Sequence, residues 1–533
     1  MDDPEFSTGM KFRSFDQFKE AVRNFGIKHR YVMKFRPNDK KRCKAYCKKG
    51  CPFKIWASKM NKDNLTVQIK SAVLKHECSR DHNIRHVNPK WIAQKYIEQF
   101  RADPNWCLSG IIQAVKSNQK ASIGRVCALR AKHIALLKLN GDEAEQMKML
   151  NDYRLELVRT HPNSTVLFKR SLGVFKGMYV CLAPLRDGFM AGCRRVISID
   201  GCWLKGLYGG QLLAAVGIDA NDCTYPVAWC VVDSETKENW MWFLSLLADD
   251  LPINNSYGWC FMSDRQKGLI PAIETLFPHA EHRFCVRHIL CNFRKSYKGK
   301  ALKDLLWACA RAPYSQGFDK CMEAVGDISK GAKAYLKRIT QGKWTRSTFD
   351  TRFKCDMLLN NLCESFNHVI LEAKTKGIII MNEMIRTKLM VRIQKKRDAM
   401  RRLDSVFCPK PLKKLERGRQ MSWFYKAVWS GGKTYQVFGF DGQFVVDKGE
   451  FTCSCRRWQL TGIPCHHAIA AMNENNEDPQ KFMDDCYRIS TYLDTYSHLL
   501  NPTNGKELWP KSNDPPVIPP PHQSISEGAE NSC

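Results

Sequence analysis

Three strand-like runs, RRVISID, QLLAAVGIDA and CTYPVAWCVVD, follow one another in residues 194–233 before any helix intervenes. A helical pattern (KENWMWFLSLLADDL), a strand (YGWCFMSD), a helix (GLIPAIETLF) and a strand (AEHRFCVRH) complete the stretch. This is an α/β core, but not the strict βαβ alternation of a dinucleotide-binding fold. Two of its apolar strands end in a carboxylate, Asp200 and Asp264, which is costly there unless a cation meets it. A third, Glu364, lies on a predicted helix in NNLCESFNHVI, whose apolar face is marked by Phe366, Val369 and Ile370. Carboxylate oxygens from two strand ends and a helix can hold two Mg²⁺ ions for phosphoryl transfer. Taken singly, such Asp residues serve equally as turn starters or helix caps.

The flanks differ in character from this core. At roughly 100–200 residues per domain, 533 residues imply about three or four domains. Residues 1–9 (MDDPEFSTG) read as a vector scar and are expected to lie outside the fold. Residues 10–90 combine a helix with apolar residues at Phe15, Phe18, Ala21, Val22 and Phe25 with strand-like runs such as PFKIWASK. Residues 91–168 are predicted all-helical, with Pro104 and Pro162 as stops. The core's first part spans 169–290, a helical insertion 291–358, and a long helix with strongly basic continuation 359–424. A strand-then-helix unit covers 425–475, a C-terminal segment 476–510, and a Pro- and Ser-rich tail, expected to be disordered, 511–533. The predicted fold is thus multi-domain α+β.

Two Cys/His clusters bracket the core. The C-terminal one is Cys453-Ser-Cys455, nine residues, then Cys465-His466-His467. Thiolate and imidazole suit tetrahedral zinc, and three Cys with one His close a structural site. His467 is the better fourth ligand by spacing, with His466 its competitor. The N-terminal cluster is Cys47-x3-Cys51, 24 residues, then His76-x-Cys78, with Cys43 and His82 as spare candidates. About two zinc ions per chain are therefore expected. Lys44, Lys48, Lys49 and Lys54 surround the first cluster, with Tyr46, Phe53 and Trp56 interleaved. Such a basic, aromatic-bearing β unit is a candidate reader of a DNA groove.

Charge points the same way. Lys and Arg number 84 against 53 Asp and Glu, a net +31 that calls for a polyanionic partner, with nucleic acid first. No run of 18 apolar residues offers a membrane span, and the polar first twenty residues carry no secretory h-region. The 24 cysteines therefore read as metal ligands and buried thiols, not as a disulfide framework.

The stretch from VISIDGCW to FCVRHI resembles the transposase core of the plant Mutator-like elements. That resemblance implies an RNase H-like core with a helical insertion and an Asp–Asp–Glu triad on Asp200, Asp264 and Glu364. A Cys-x-x-His between the second Asp and the Glu falls on Cys285 and His288; His288 is left open between a place near the scissile phosphate and a core position. CKKGCPFKIWASK with HEC resembles the family's N-terminal zinc DNA-binding domain, and CSCRRWQLTGIPCHHAIAAM resembles the SWIM zinc finger. The function implied by this resemblance is that of a nuclear cut-and-paste DNA transposase. It binds terminal inverted repeats and target DNA as a homodimer or larger homo-oligomer, and cleaves and joins strands with Mg²⁺ or Mn²⁺, two ions per site. Asp200 would bridge both ions, with Asp264 and Glu364 each completing one. The alternative is a domesticated, transposase-derived transcription regulator.

Overall fold

A computed structural model describes residues 4–48, 50–60, 65–103, 106–140, 143–206 and 208–520. Lys49, predicted to face DNA, and Pro104, a predicted helix stop, lie outside the described residues. The chain divides into two compact units at Glu143/Ala144.

In the first unit, strands β1 (Lys11–Phe12), β2 (Lys34–Asn38), β3 (Arg42–Tyr46), β4 (Lys54–Lys59) and β5 (Val67–Val73) form an antiparallel sheet ordered β1-β5-β4-β3-β2. Alternation sends Cys43, Ala45, Ile55, Ala57, Val67 and Ile69 inward. They meet Phe18, Ala21 and Val22 of the helix Phe15–His29, whose N-terminus Ser14 caps by accepting from the Gln17 N–H. Helices at Pro89–Lys95, Leu108–Gln119 and Arg125–Asn140 gather around Ile92, Phe100, Ile111 and Val115. Residues 4–9 are not an appendage to this unit. Phe6 is buried, its ring 5.5 Å from that of Phe25, so apolar burial brings the predicted scar into the core.

The second unit holds a seven-stranded sheet ordered β12-β11-β8-β9-β10-β7-β6. Its strands are β6 (Thr165–Ser171), β7 (Val174–Cys181), β8 (Arg194–Trp203), β9 (Gln211–Ile218), β10 (Thr224–Val232), β11 (Cys260–Ser263) and β12 (Glu281–Phe284). From β6 through β7, β10 and β9 to β8 the neighbours pair antiparallel, while β8, β11 and β12 run parallel. β9 and β10 are buried along their whole length, because helices cover both faces. On one side the helix Lys237–Asp250 packs Trp240, Phe243, Leu244 and Leu247; another helix, Asn361–Val369, contributes Leu362, Cys363 and Phe366. Mixed α+β architecture with several sheets agrees with the expected fold class. The insertion forms four helices, Val286–Ser296, Lys300–Arg311, Ser315–Ile328 and Lys330–Lys337, around their own core of Phe293, Leu306, Val325 and Trp344.

Several boundaries differ from the sequence-based expectation. The helix Leu150–Thr160 was expected in the all-helical domain, but Leu150, Tyr153 and Leu157 bury themselves in the core of the second unit. The helix bearing Glu364 spans only nine residues and ends at Val369, before a 3₁₀ turn at Ala373–Thr375. The tail is ordered to at least residue 520: Val517 is 1% exposed, and Ile518 exchanges backbone hydrogen bonds with Gly173 and Phe175. Backbone pairing and one buried valine outweigh its Pro-rich composition. Last, β13 (Lys426–Gly431), β14 (Thr434–Gly439), β15 (Gly442–Asp447) and β16 (Thr452–Cys453) form a small antiparallel sheet beside the helix His466–Asn473. Among the described residues, no helix is long and apolar enough to cross a membrane.

Candidate active site and zinc centres

Parallel pairing sets three chemically distinct residues side by side. Met262 pairs with Ser198, so two residues on, Asp264 stands level with Asp200. Ser263 pairs with Phe284, which brings Cys285 level with Asp264. Asp264 and Cys285 thus follow directly on the ends of β11 and β12. Asp200 lies just past the parallel pairing of β8, which runs on to Trp203 instead of ending at the carboxylate. Open α/β sheets gather ligands at such an edge. His288 follows Cys285 one turn into the helix Val286–Ser296.

Glu364 reaches the same edge because its helix is tied to β8 from both sides. Asn360 Nδ2 donates to the Ile199 carbonyl at 3.0 Å, and Asn367 Nδ2 donates to Asp200 Oδ2 at 3.5 Å. The Asn360 N–H also donates to Cys285 Sγ at 3.4 Å. Glu364 Oε2 itself accepts from Arg287 Nη1 at 2.6 Å, so this carboxylate is turned to an arginine.

Burial and mutual repulsion dominate the electrostatics of the acidic site. Burial, then the Asp264 charge and more weakly Glu235, push Asp200 up to about 7, with His288 opposing. Burial and Asp264 raise Glu235 to about 7 as well. His288 is pushed up to about 9, first by hydrogen bonding with Cys285 and then by the charges of Cys285, Asp264 and Asp200. Burial pushes the Cys285 thiol up, but hydrogen bonds from His288 and the Asn360 N–H outweigh it and leave the thiol below its usual value. Half-buried hard oxygen donors pushed toward neutrality by burial and by one another's charge fit a divalent cation such as Mg²⁺.

Glu235 carries no signal in the sequence. It lies in the loop between β10 and the helix Lys237–Asp250, where Ser-Glu-Thr-Lys reads as an ordinary helix start. Thr236 does cap that helix, accepting from the Asn239 N–H at 3.2 Å. Only the tertiary fold reveals the carboxylate's position over Gly201, beside Asp200.

Both zinc clusters assemble. Cys47, Cys51, His76 and Cys78 bring their ligand atoms within 4.8 Å of one another, as do Cys453, Cys455, Cys465 and His467. In the first, Cys47 and Cys78 sulfurs are 3.4 Å apart and Cys51 Sγ is 3.5 Å from His76 Nδ1. Tetrahedral zinc with bonds of about 2.1–2.3 Å holds ligand atoms at about these separations. Burial lowers His76 to about 4 and His467 to about 3, leaving both imidazoles neutral and ready to ligate. Burial, with the neighbouring thiols Cys47 and Cys51, pushes Cys78 up to about 12, as expected of crowded sulfurs lacking a cation.

The spare candidates do other work. Cys43 is buried in the sheet core, and His82 Nδ1 bonds the Lys120 carbonyl at 3.0 Å. His467 takes the fourth place in the second cluster, its Nδ1 3.6 Å from Cys453 Sγ and its Nε2 3.6 Å from Asp441. His466 stays outside that cluster: it packs against Tyr425 and groups instead with Asp441 and His467. Of the predicted DNA-facing residues, Lys44 and Trp56 are cross-strand partners, and so are Tyr46 and Lys54, all on the sheet face opposite the helix. Lys48 pairs with Asp81 at 3.4 Å.

Comparison with known families adds three matches in chain order. A MuDR family transposase model covers residues 3–69, a MULE transposase domain 196–292, and a SWIM zinc finger 435–476. Asp200, Asp264, Cys285 and His288 fall inside the second, and Cys453, Cys455, Cys465 and His467 inside the third. No curated protein matches the chain. The matches support DNA as a partner and, with the clusters, zinc binding. A MuDR-family DNA-binding domain, a MULE transposase domain and a SWIM zinc finger, carried in that order on one chain, match a Mutator-like transposase.

Proposed function

We propose that the chain is a catalytically competent DNA transposase that binds terminal inverted repeats and cuts and rejoins DNA. One observation carries this reading: register alone levels Asp200 with Asp264, and two asparagines flanking Glu364 tie its helix to the same strand. The three carboxylates share this edge of the sheet without closing to ligating distance among the described residues, and a DNA-binding regulator has no need of carboxylates placed there.

Asp200, Asp264 and Glu364 would hold Mg²⁺ or Mn²⁺. Bound there, the ions supply the charge that activates an attacking oxygen and stabilises a departing one. The protein's own residues orient the reaction around them. Asn367 steadies Asp200, and Gln266 steadies Asp264 by donating its backbone N–H to Oδ1 at 3.0 Å. His288, protonated at neutral pH, presents a donor beside the carboxylates, suited to a phosphate oxygen. Cys285 favours the charged form of that imidazole.

DNA positioning falls to the outward face of β3 and β4, with Lys44, Lys54 and Trp56. Two DNA ends require at least a dimer, and the reaction belongs in the nucleus. The test is direct. Purified protein with duplex carrying candidate repeats and Mg²⁺ or Mn²⁺ should yield nicked and joined strands on a denaturing gel. Binding without cutting in either metal would return the regulator reading.

A further inference from the structure

We propose that Glu235, backed by Gln211, is a further ligand of the divalent cation held by Asp200 and Asp264. The inference rests on reading those two aspartates as cation ligands and enlarges that set to residues outside the expected triad.

The geometry begins at Gly201, the residue after Asp200. A Cβ built there would stand 2.1 Å from Glu235 Oε1 and 3.2 Å from Gln211 Oε1. The two side-chain oxygens therefore converge over a backbone position left bare by glycine. Both are acceptors, so neither satisfies the other. Gln211 is 4% exposed, and its Oε1 is buried without a hydrogen-bond partner among the described residues. A buried amide oxygen aimed at a carboxylate is costly unless a cation or a donor lies between them.

The loop holding Glu235 is fixed to the active-site edge. Gln266 Nε2 donates to the Glu235 carbonyl at 3.0 Å, while the same residue's backbone N–H donates to Asp264 Oδ1 at 3.0 Å. Gln266 Oε1 in turn accepts from the Leu269 N–H at 2.7 Å. One side chain thus locks the Glu235 loop to the Asp264 loop. A capping role does not explain the carboxylate, because Thr236 already caps the helix. Among the described residues, Glu235, Asp200 and Asp264 do not draw together to ligating distance as the two Cys/His clusters do. Their anionic oxygens, with the neutral one of Gln211, are a hard donor set that suits Mg²⁺ or Mn²⁺ ahead of soft metals.

The test measures Mn²⁺ binding to the full-length protein without DNA, by electron paramagnetic resonance, for wild type, E235Q, D200N and G201A. E235Q keeps the size of the side chain but lowers its affinity for the ion, and binding should weaken at least tenfold. G201A leaves the carboxylate present but drives it aside, and should weaken binding in the same direction. Circular dichroism confirms that each variant folds. If D200N weakens binding while E235Q matches wild type, Glu235 is no ligand and the triad reading survives. If wild type binds no Mn²⁺, or D200N also leaves affinity unchanged, both fall.

Discussion

Arg287 and Glu364, 77 residues apart in sequence, meet at 2.6 Å across the mouth of the candidate active site. Arg287 adjoins His288 on one helix, and Glu364 lies between the two asparagines that dock another. The pair brings a guanidinium to the place where a cation would bind. Both side chains are substantially exposed, at 48% and 39%, so the bridge contributes only about 0.5 kcal/mol to stability. Its consequence lies in competition for Glu364.

Arg287→Ala should therefore leave melting nearly unchanged and lower the Mn²⁺ concentration needed for half-saturation by about twofold, the equivalent of that bridge. Cleavage at saturating metal should fall if the released guanidinium otherwise meets a DNA phosphate. Metal titrations followed by calorimetry and by cleavage separate the two effects. A weaker metal affinity in the alanine variant would mean that Arg287 positions Glu364 and does not compete for it.

A second prediction concerns pH. Asp200 holds its proton to about 7 in the fold but releases it near 3.8 when unfolded. The native state thus binds more protons across this window, and the stability of the metal-free second unit falls as pH rises from about 4 to 7. Glu235 adds to the same fall, its value being raised from 4.5 to about 7. Asp200→Asn should raise stability at pH 8 by about 2 kcal/mol and change it little at pH 4. Saturating Mn²⁺ should stabilise wild type at pH 8 and not the variant. An Asp200→Asn protein that melts lower at pH 8 would show that this carboxylate is already paired.

The strands and clusters nearest the chemistry were legible because their patterns are local. Apolar runs ending in Asp200 and Asp264, and Cys and His at zinc-ligand spacing, need no tertiary information. The hairpin of β6 and β7 was not legible, for a physical reason. Its turn places Leu172 and Gly173 at φ 49° and 79°, and the leucine is 97% exposed. Hairpin turns with positive φ usually announce themselves by Asn-Gly or Asp-Gly, and Leu-Gly carries no such signal. Glu235 was hidden differently. Nothing in Ser-Glu-Thr-Lys separates a carboxylate aimed at Gly201 from one facing water. Ile518 belongs to the same class, since only its pairing with Gly173 and Phe175 gives the Pro-rich tail a place.

The C-terminal zinc site discriminates between two adjacent histidines. His467→Ala should remove one zinc per chain in elemental analysis and unfold the β13–β16 module, because a structural zinc supplies its folding free energy. His466→Ala should keep the metal, losing the packing against Tyr425 and His467 and the approach to Asp441. Since burial holds His467 near 3 and His76 near 4, their protonation does not limit zinc retention above about pH 5. Equal zinc loss in both variants would mean that the two imidazoles exchange places.

The outward face of β3 and β4, proposed to meet DNA, carries the last prediction. Lys44 and Lys54 stand on the outward face of adjacent strands, each across from an aromatic residue, Trp56 and Tyr46. Neither lysine is engaged in an ion pair among the described residues, whereas Lys48 is partly neutralised by Asp81 at 3.4 Å. Free cations release condensed counterions on binding DNA; a cation already paired releases fewer. Lys44→Gln and Lys54→Gln should each flatten the slope of log affinity against log salt by about 0.9 and weaken binding across all sequences alike. Lys48→Gln should change the slope by clearly less. Trp56→Ala should act differently again, lowering affinity with little effect on the slope, because an aromatic ring contributes by contact and not by charge. Fluorescence anisotropy on repeat and random duplexes from about 50 to 200 mM salt reads all four. If Lys48→Gln flattens the slope as much as Lys44→Gln, the Asp81 pair opens on binding and the interface extends to the zinc-proximal loop. If none of the lysines moves the slope, this face is solvated and the DNA lies elsewhere.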